Sequence, residues 1–316
     1  MKDVENIDAI AAFGRKCVLA VGMFDGLHRG HKKVVGLAKR LAKKYGAAVC
    51  VLTFSPHPST VIDMGRPPVE MLFSGKFRAG LFAEAGVEKV FVKKFTKKFA
   101  ALTPDGFAEM LAAKFPNLKG IVTGYNFVFG RGAAGNARTL RALCKKYGWQ
   151  YTSANGVFLP DGRRVSSSEM RKAVRAGDMA AFAEMRGDFY KCSGALKGGK
   201  KLGRKIGLPT LNLPWNPDCK PKFGAYFAEL RRVKTGRKYG GVANYGTSPT
   251  VGKTEPLVEM NLFEDVAFGA PEKVEIRLKK FLRPQRKFES LDALVRQIKR
   301  DKLAARALAQ QKKTER

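Results

Sequence analysis

Residues 17–31, CVLAVGMFDGLHRGH, constrain this chain more than any other stretch. Residues 17–21 form an apolar run of strand length. Gly22, Asp25 and Gly26 then supply a turn, and His28 and His31 flank Gly30. Beyond them Val34, Val35, Leu37, Ala38 and Leu41 recur at helical spacing in a basic segment. The pattern predicts a buried strand, a glycine-bearing turn and a helix N-terminus. Such a turn aims free backbone N–H groups and the positive helix end at one point, which suits a phosphate. Two imidazoles there can donate to the same anion. The chain has only three histidines, His28, His31 and His57, and two of them stand in this turn.

The first half continues in the same texture. Apolar runs at 17–21, 47–54, 89–92, 120–124 and 151–154 alternate with helical patterns at 31–45, 76–85, 103–114 and 137–147. Strand–helix alternation predicts an α/β domain with a parallel sheet covered on both faces. Ligands of such sheets sit at the carboxyl ends of the strands. The histidine turn, TFSPHP with His57 and GYNFVFGRG with Asn126 each follow a strand there. Residues 166–186 read as two short helices. In VSSSEMR, Ser167, Ser168 and Arg171 are either a helix cap with a surface arginine or a group closing on triphosphate oxygens.

Near residue 190 glycine, proline and short β-like runs take over: KCSGAL, PTLNLPW, GAYFAELRRV, YGGVANY, PLVEMNLF and KVEIRLKKFL. Closely spaced strands with turn signals predict an antiparallel barrel or sandwich. Residues 288–309 read as a closing helix capped near Ser290, and 310–316 as a frayed polar tail. Between 193 and 213 a basic loop carries Gly198, Gly203 and Gly207, which let backbone amides approach phosphates. It is not a P-loop, since GxxxxGK[ST] is absent. Thr210 and Asn212 alternate along a strand, so both lie on one face as hard oxygen ligands suited to Mg²⁺. Glu259 is either a solvated strand glutamate or a carboxylate placed to take a proton from an attacking hydroxyl.

Composition narrows the class. A chain of 316 residues, 45% hydrophobic and 10% aromatic, is long enough for two ordered domains. No apolar run approaches the roughly 18–20 residues of a membrane span, and the N-terminus lacks a signal-peptide core, so a cytoplasmic location is expected. Five scattered cysteines without a CxxC pair predict neither a disulfide framework nor a zinc site. The net charge of +33 is spread evenly, with 30 basic against 14 acidic residues in 1–185 and 30 against 13 in 186–316. Without a nucleic-acid-binding motif, this charge implies nonspecific attraction of polyanions and not nucleic-acid recognition.

GMFDGLHRGH suits nucleotidyl transfer, where positioning and charge stabilisation do most of the catalysis. Together with TFSPHP, GYNFVFG, SSSEMR, GRKIGLPTLN and RKFESLDALVRQIKRD, it resembles the bacterial bifunctional riboflavin kinase/FAD synthetase family from about residue 15 to 308. The resemblance implies a Rossmann-like nucleotidyltransferase domain over 1–187 that adenylylates FMN. It also implies a six-stranded antiparallel β-barrel with a closing helix over 188–316 that phosphorylates riboflavin. Both steps would use ATP and Mg²⁺. Carried over, His28 and His31 stabilise the ATP phosphates, in a pocket shaped by Gly22, Phe24, Asp25, Gly26 and Gly30. Asn126, with His57 nearby, contacts FMN, while Ser167, Ser168 and Arg171 close on the triphosphate. Thr210 and Asn212 hold Mg²⁺ and phosphates, and Glu259 activates the ribityl hydroxyl. Ser168 stands where the family usually has threonine, and NLFEDVAFG is shorter than the usual stretch after the catalytic glutamate. The alternatives are a single-activity enzyme with one domain kept for binding, or a basic polyanion-binding protein on this scaffold. No oligomeric state follows from these motifs.

Overall fold

The computed structural model describes residues 4–63, 65, 67–197, 209–248, 253–269 and 271–314. The chain divides into two compact units, Met1–Ser167 and Ser168–Arg316.

The first unit is an α/β layer structure. Its strands are β1 (Val4–Asn6), β2 (Cys17–Val21), β3 (Ala48–Ser55), β4 (Lys89–Lys94), β5 (Leu118–Gly124) and β6 (Gln150–Ala154). They form one sheet in the order β1-β4-β3-β2-β5-β6, and every pair is parallel. Helices α1 (Arg29–Tyr45), α2 (Gly75–Glu84), α3 (Lys97–Ala100), α4 (Pro104–Lys114) and α5 (Ala137–Lys146) connect them. The chain runs one way from β2 through β3 to β4 and the other way from β5 to β6. The topological switch point therefore lies between β2 and β5, where ligands of such sheets bind. All five residues of β2 are buried, as a central strand of a parallel sheet requires. Leu19, Leu52, Phe91, Phe115 and Ile121 sit in one core with Leu111 of α4 and Leu140 of α5. The close packing shows at Gly120, where an added Cβ would lie 2.9 Å from the Gln150 carbonyl.

The second unit opens with α6 (Ser167–Ala176, whose first residue belongs to the first unit) and α7 (Met179–Arg186). Strands β7 (Tyr190–Ala195), β8 (Leu211–Pro214), β9 (Gly224–Arg232), β10 (Lys238–Ser248), β11 (Lys253–Leu262) and β12 (Lys273–Pro284) follow. They pair antiparallel in the order β7-β12-β9-β10-β11-β8. The two edges meet where the Lys197 N–H donates to the Asn212 carbonyl at 2.9 Å, so the sheet is a nearly closed barrel and not a sandwich. Lys191 is buried on the barrel between Asp188 (3.3 Å) and Glu275 (3.2 Å). Helix α8 (Leu291–Thr314) closes the unit. The Ser290 hydroxyl accepts the Ala293 N–H at 3.1 Å, the expected cap. The Arg283 guanidinium grips Asp301 on α8 through both carboxylate oxygens, at 2.7–3.1 Å.

Two expectations need correction, and one strand was not foreseen. The closing helix starts at Leu291, not at 288. It also runs to Thr314, so residues 310–314 are helical and not a frayed tail. Nothing after Ala309 breaks a helix, and Ala-Gln-Gln-Lys-Lys are good helix formers. The short edge strand β1, paired with Val90–Val92 of β4, has no periodic signal in three residues.

Candidate active sites

At the end of β2 the chain makes a turn that few sequences tolerate. Phe24 (φ 52°) and Leu27 (φ 43°) are non-glycine residues in the left-handed region, beside Gly26 (φ 82°). Burial holds them there. Phe24 and Leu27 are both buried, and the Phe24 ring stands edge-on to Phe82 at 5.6 Å and to His31 at 5.3 Å.

His28 is the N-cap of α1. Its Nδ1 accepts the His31 N–H at 3.3 Å, and the two rings stack 3.6 Å apart at 18°. Since Nδ1 accepts, the neutral ring carries its proton on Nε2, which becomes its donor. Burial, followed by the Arg164 guanidinium, lowers the His28 pKa to about 4. Burial, His28 and Arg78 push His31 down as well. Both rings are therefore neutral near pH 7. His31 as a residue is half-buried, and its ring Nδ1 is sealed from solvent with no hydrogen-bond partner among the described residues.

The glycines differ in their roles. Gly26 needs its positive φ. A Cβ at Gly30 would come 3.0 Å from His28 Cε1, so glycine there keeps the ring in place. A Cβ at Gly22 would meet only the Phe24 ring at 3.4 Å. Asp25 is buried, and both of its carboxylate oxygens lie within reach of the Leu72 N–H, at 3.0 and 3.2 Å. Its carbonyl accepts the Ser167 hydroxyl at 2.8 Å, which joins the serine motif to the histidine turn. Ser168 is exposed and Arg171 half-buried, one turn further along α6. His57 caps a 3₁₀ turn over Pro58–Thr60, with Nδ1 bonded to Ser59. Asn126 lies exposed just past β5.

Sequence reasoning missed Arg164. Residues 157–165 form a hairpin after β6, bridged at Phe158 and Arg164, whose guanidinium lies over the Tyr125 ring at 5.3 Å. The only sequence signal was the position of two arginines just before the serine motif. The carboxyl ends of β2, β3, β5 and β6 thus present His28 and His31, His57, Asn126 and Arg164.

In the barrel, pairing brings three polar residues into one row. Glu259 of β11 stands opposite Asn212 of β8 on one side and Asn244 of β10 on the other. Directly paired residues share a face, so all three point the same way. Thr210 precedes β8 and is exposed. The carbonyl of Pro209, next to it, accepts the Asn261 Nδ2–H at 3.0 Å. Asn244 was not foreseen, because its relation to Glu259 depends on register, and the Asn261 bond to the Pro209 carbonyl depends on where the chain before β8 lies. Gly198, Gly203 and Gly207 lie outside the described residues. Thr210 and Asn212 offer oxygens, and Glu259 a carboxylate, a donor set that fits a hard divalent ion sharing its sphere with phosphates and water. No cluster of three His, Cys, Asp or Glu suited to a metal occurs among the described residues.

Both parts of the chain match known proteins. The profile of the FAD synthetase family matches residues 11–169, and that of riboflavin kinase matches residues 186–309. A bifunctional riboflavin kinase/FMN adenylyltransferase of Escherichia coli K12 is 34% identical over 293 residues, 92% of each chain. The chain belongs to the bifunctional riboflavin kinase/FMN adenylyltransferase family. Its namesake in Bacillus subtilis is 33% identical, again over 92% of each chain. Among solved structures, a Streptococcus pneumoniae protein described as a macrolide-efflux protein superposes with a TM-score of 0.80. It is 26% identical, over 96% of this chain and 98% of that one. Among the described residues of this family member, no helix is long and apolar enough to cross a membrane.

Proposed function

We propose that the family's two reactions are divided between residues 1–187, which adenylylate FMN to FAD, and residues 188–316, which phosphorylate riboflavin to FMN. The order of the two family matches along the chain carries this reading.

In adenylyl transfer, an FMN phosphate oxygen bonds to the α-phosphorus of ATP, the bond to the bridging oxygen breaks and pyrophosphate leaves. No covalent enzyme intermediate is needed. His28 donates from Nε2 to the α-phosphate as a neutral imidazole, and the free N–H groups at the start of α1 add to the same field. Arg164 supplies the fixed positive charge that the neutral histidines do not. The Ser167 hydroxyl holds the serine motif to the turn. Asn126 orients FMN, and His57 stiffens the loop beside it.

In riboflavin phosphorylation, Glu259 takes the proton of the terminal ribityl hydroxyl, whose oxygen then bonds to the γ-phosphorus as ADP leaves. Asn212 and Asn244 flank the carboxylate and orient it. Thr210 and Asn212 would hold Mg²⁺, which when bound neutralises phosphate charge. The enzyme acts in the cytoplasm, and its excess positive charge draws polyanions without sequence recognition.

Incubating the protein with riboflavin, ATP and Mg²⁺ and resolving the flavins by chromatography tests the reading. FMN should appear first and FAD after it. Absence of both products would refute it.

A further inference from the structure

Among the described residues of the first unit, Asp25 and Arg78 are the two buried side chains that carry a full charge. Arg78 is 5% exposed and lies on α2. Its Nη1 donates to the Met23 carbonyl at 3.1 Å and its Nη2 to the Phe54 carbonyl at 3.5 Å. The Met23 carbonyl also accepts the Thr53 hydroxyl, at 3.1 Å. Met23 opens the histidine turn, and Phe54 ends the strand that leads to His57. One helical turn on, Phe82 packs against Phe24. Arg78 and Phe82 therefore share a face of α2 and hold the same strained turn, one by hydrogen bonds and one by packing.

A buried guanidinium is expensive, and an apolar residue beside Phe82 would fill the space at less cost. What the charge adds is a clasp on two carbonyls, that of Met23 at the start of the histidine turn and that of Phe54 at the end of β3. We infer that Arg78 is a positioning residue for adenylyl transfer, gripping the Met23 carbonyl with Thr53 so that the turn bearing His28 and His31 keeps its left-handed residues. The inference rests on the adenylyl-transfer reading of this site.

The second activity provides an internal control for folding. Wild type, Arg78→Gln, Arg78→Lys and Thr53→Val are assayed for FAD from FMN and for FMN from riboflavin in the same preparations. Arg78→Gln should lower kcat for FAD formation at least about tenfold with KM for FMN and ATP within about threefold. Riboflavin kinase should not change, and Arg78→Lys should recover most of the lost turnover. Thr53→Val should lower kcat about three- to tenfold in the same selective way. Wild-type kcat in Arg78→Gln, or a loss confined to KM, would overturn the inference. If Arg78→Gln fails to fold, Thr53→Val decides: wild-type turnover overturns the inference, and a selective fall supports it. If the wild type makes no FAD from FMN, the site reading itself fails instead.

Discussion

The His31 N–H donates to Nδ1 of His28 while the two rings stack 3.6 Å apart. One contact thus caps α1, fixes the tautomer of His28 and locks the pair as a unit. His28→Ala removes the cap and the donor together. It should lower FAD formation from FMN by at least about a hundredfold and leave FMN formation from riboflavin intact. Steady-state assays of both steps check this. His28→Asn keeps a capping side chain but not the Nε2 donor, so it should recover stability without recovering activity.

The pH dependence follows from the same burial. The His28 pKa lies near 4, below the 6.5 of an unconstrained histidine. Between these values the unfolded chain holds a proton that the folded one does not. The first unit should therefore lose stability as pH falls from about 6.5 to about 4, by on the order of 3 kcal/mol in total. Above that window the contribution is fully present, and below it none remains. Thermal denaturation across pH should show the slope in wild type and a shallower one in His28→Asn.

Gly30→Ala places a methyl group 3.0 Å from His28 Cε1 at a position where backbone φ is ordinary. Helix propensity favours alanine, so α1 should not melt. The strain falls on the ring, and FAD formation should drop about tenfold with little change in melting temperature. Gly22→Ala, with 3.4 Å to the Phe24 ring, should do much less.

The carboxylate row in the barrel gives a graded expectation. Glu259→Gln should lower riboflavin phosphorylation at least about a hundredfold, since it keeps the shape but not the base. Asn244→Ala, which only strips the paired neighbour on β10, should cost about tenfold in kcat. FAD formation from supplied FMN should be unaffected in both. Equal losses in the two variants would mean that Glu259 is one structural member of a polar row.

Much of this was legible in the sequence, for identifiable reasons. The β2–turn–α1 unit declares itself because a buried strand, a glycine-bearing turn and an amphipathic helix each have local signatures. The Ser290 cap was visible for the same reason. The parts that stayed hidden depend on pairing or packing. Arg164 reaches His28 only through a hairpin, and Arg78 reaches Met23 across 55 residues of chain. Asn244 joins Glu259 only through antiparallel register. Asp25 was legible as part of the turn, but its contact with the Leu72 N–H, 47 residues away, was not.

Mixing two half-active variants tests the division of labour most directly. His28→Ala should convert riboflavin to FMN and stop there, and Glu259→Gln should leave riboflavin untouched but convert supplied FMN to FAD. Combined with riboflavin, ATP and Mg²⁺, the two should make FAD that neither makes from riboflavin alone. FAD formation by His28→Ala on its own, or by Glu259→Gln given only riboflavin, would contradict the assignment of the two sites.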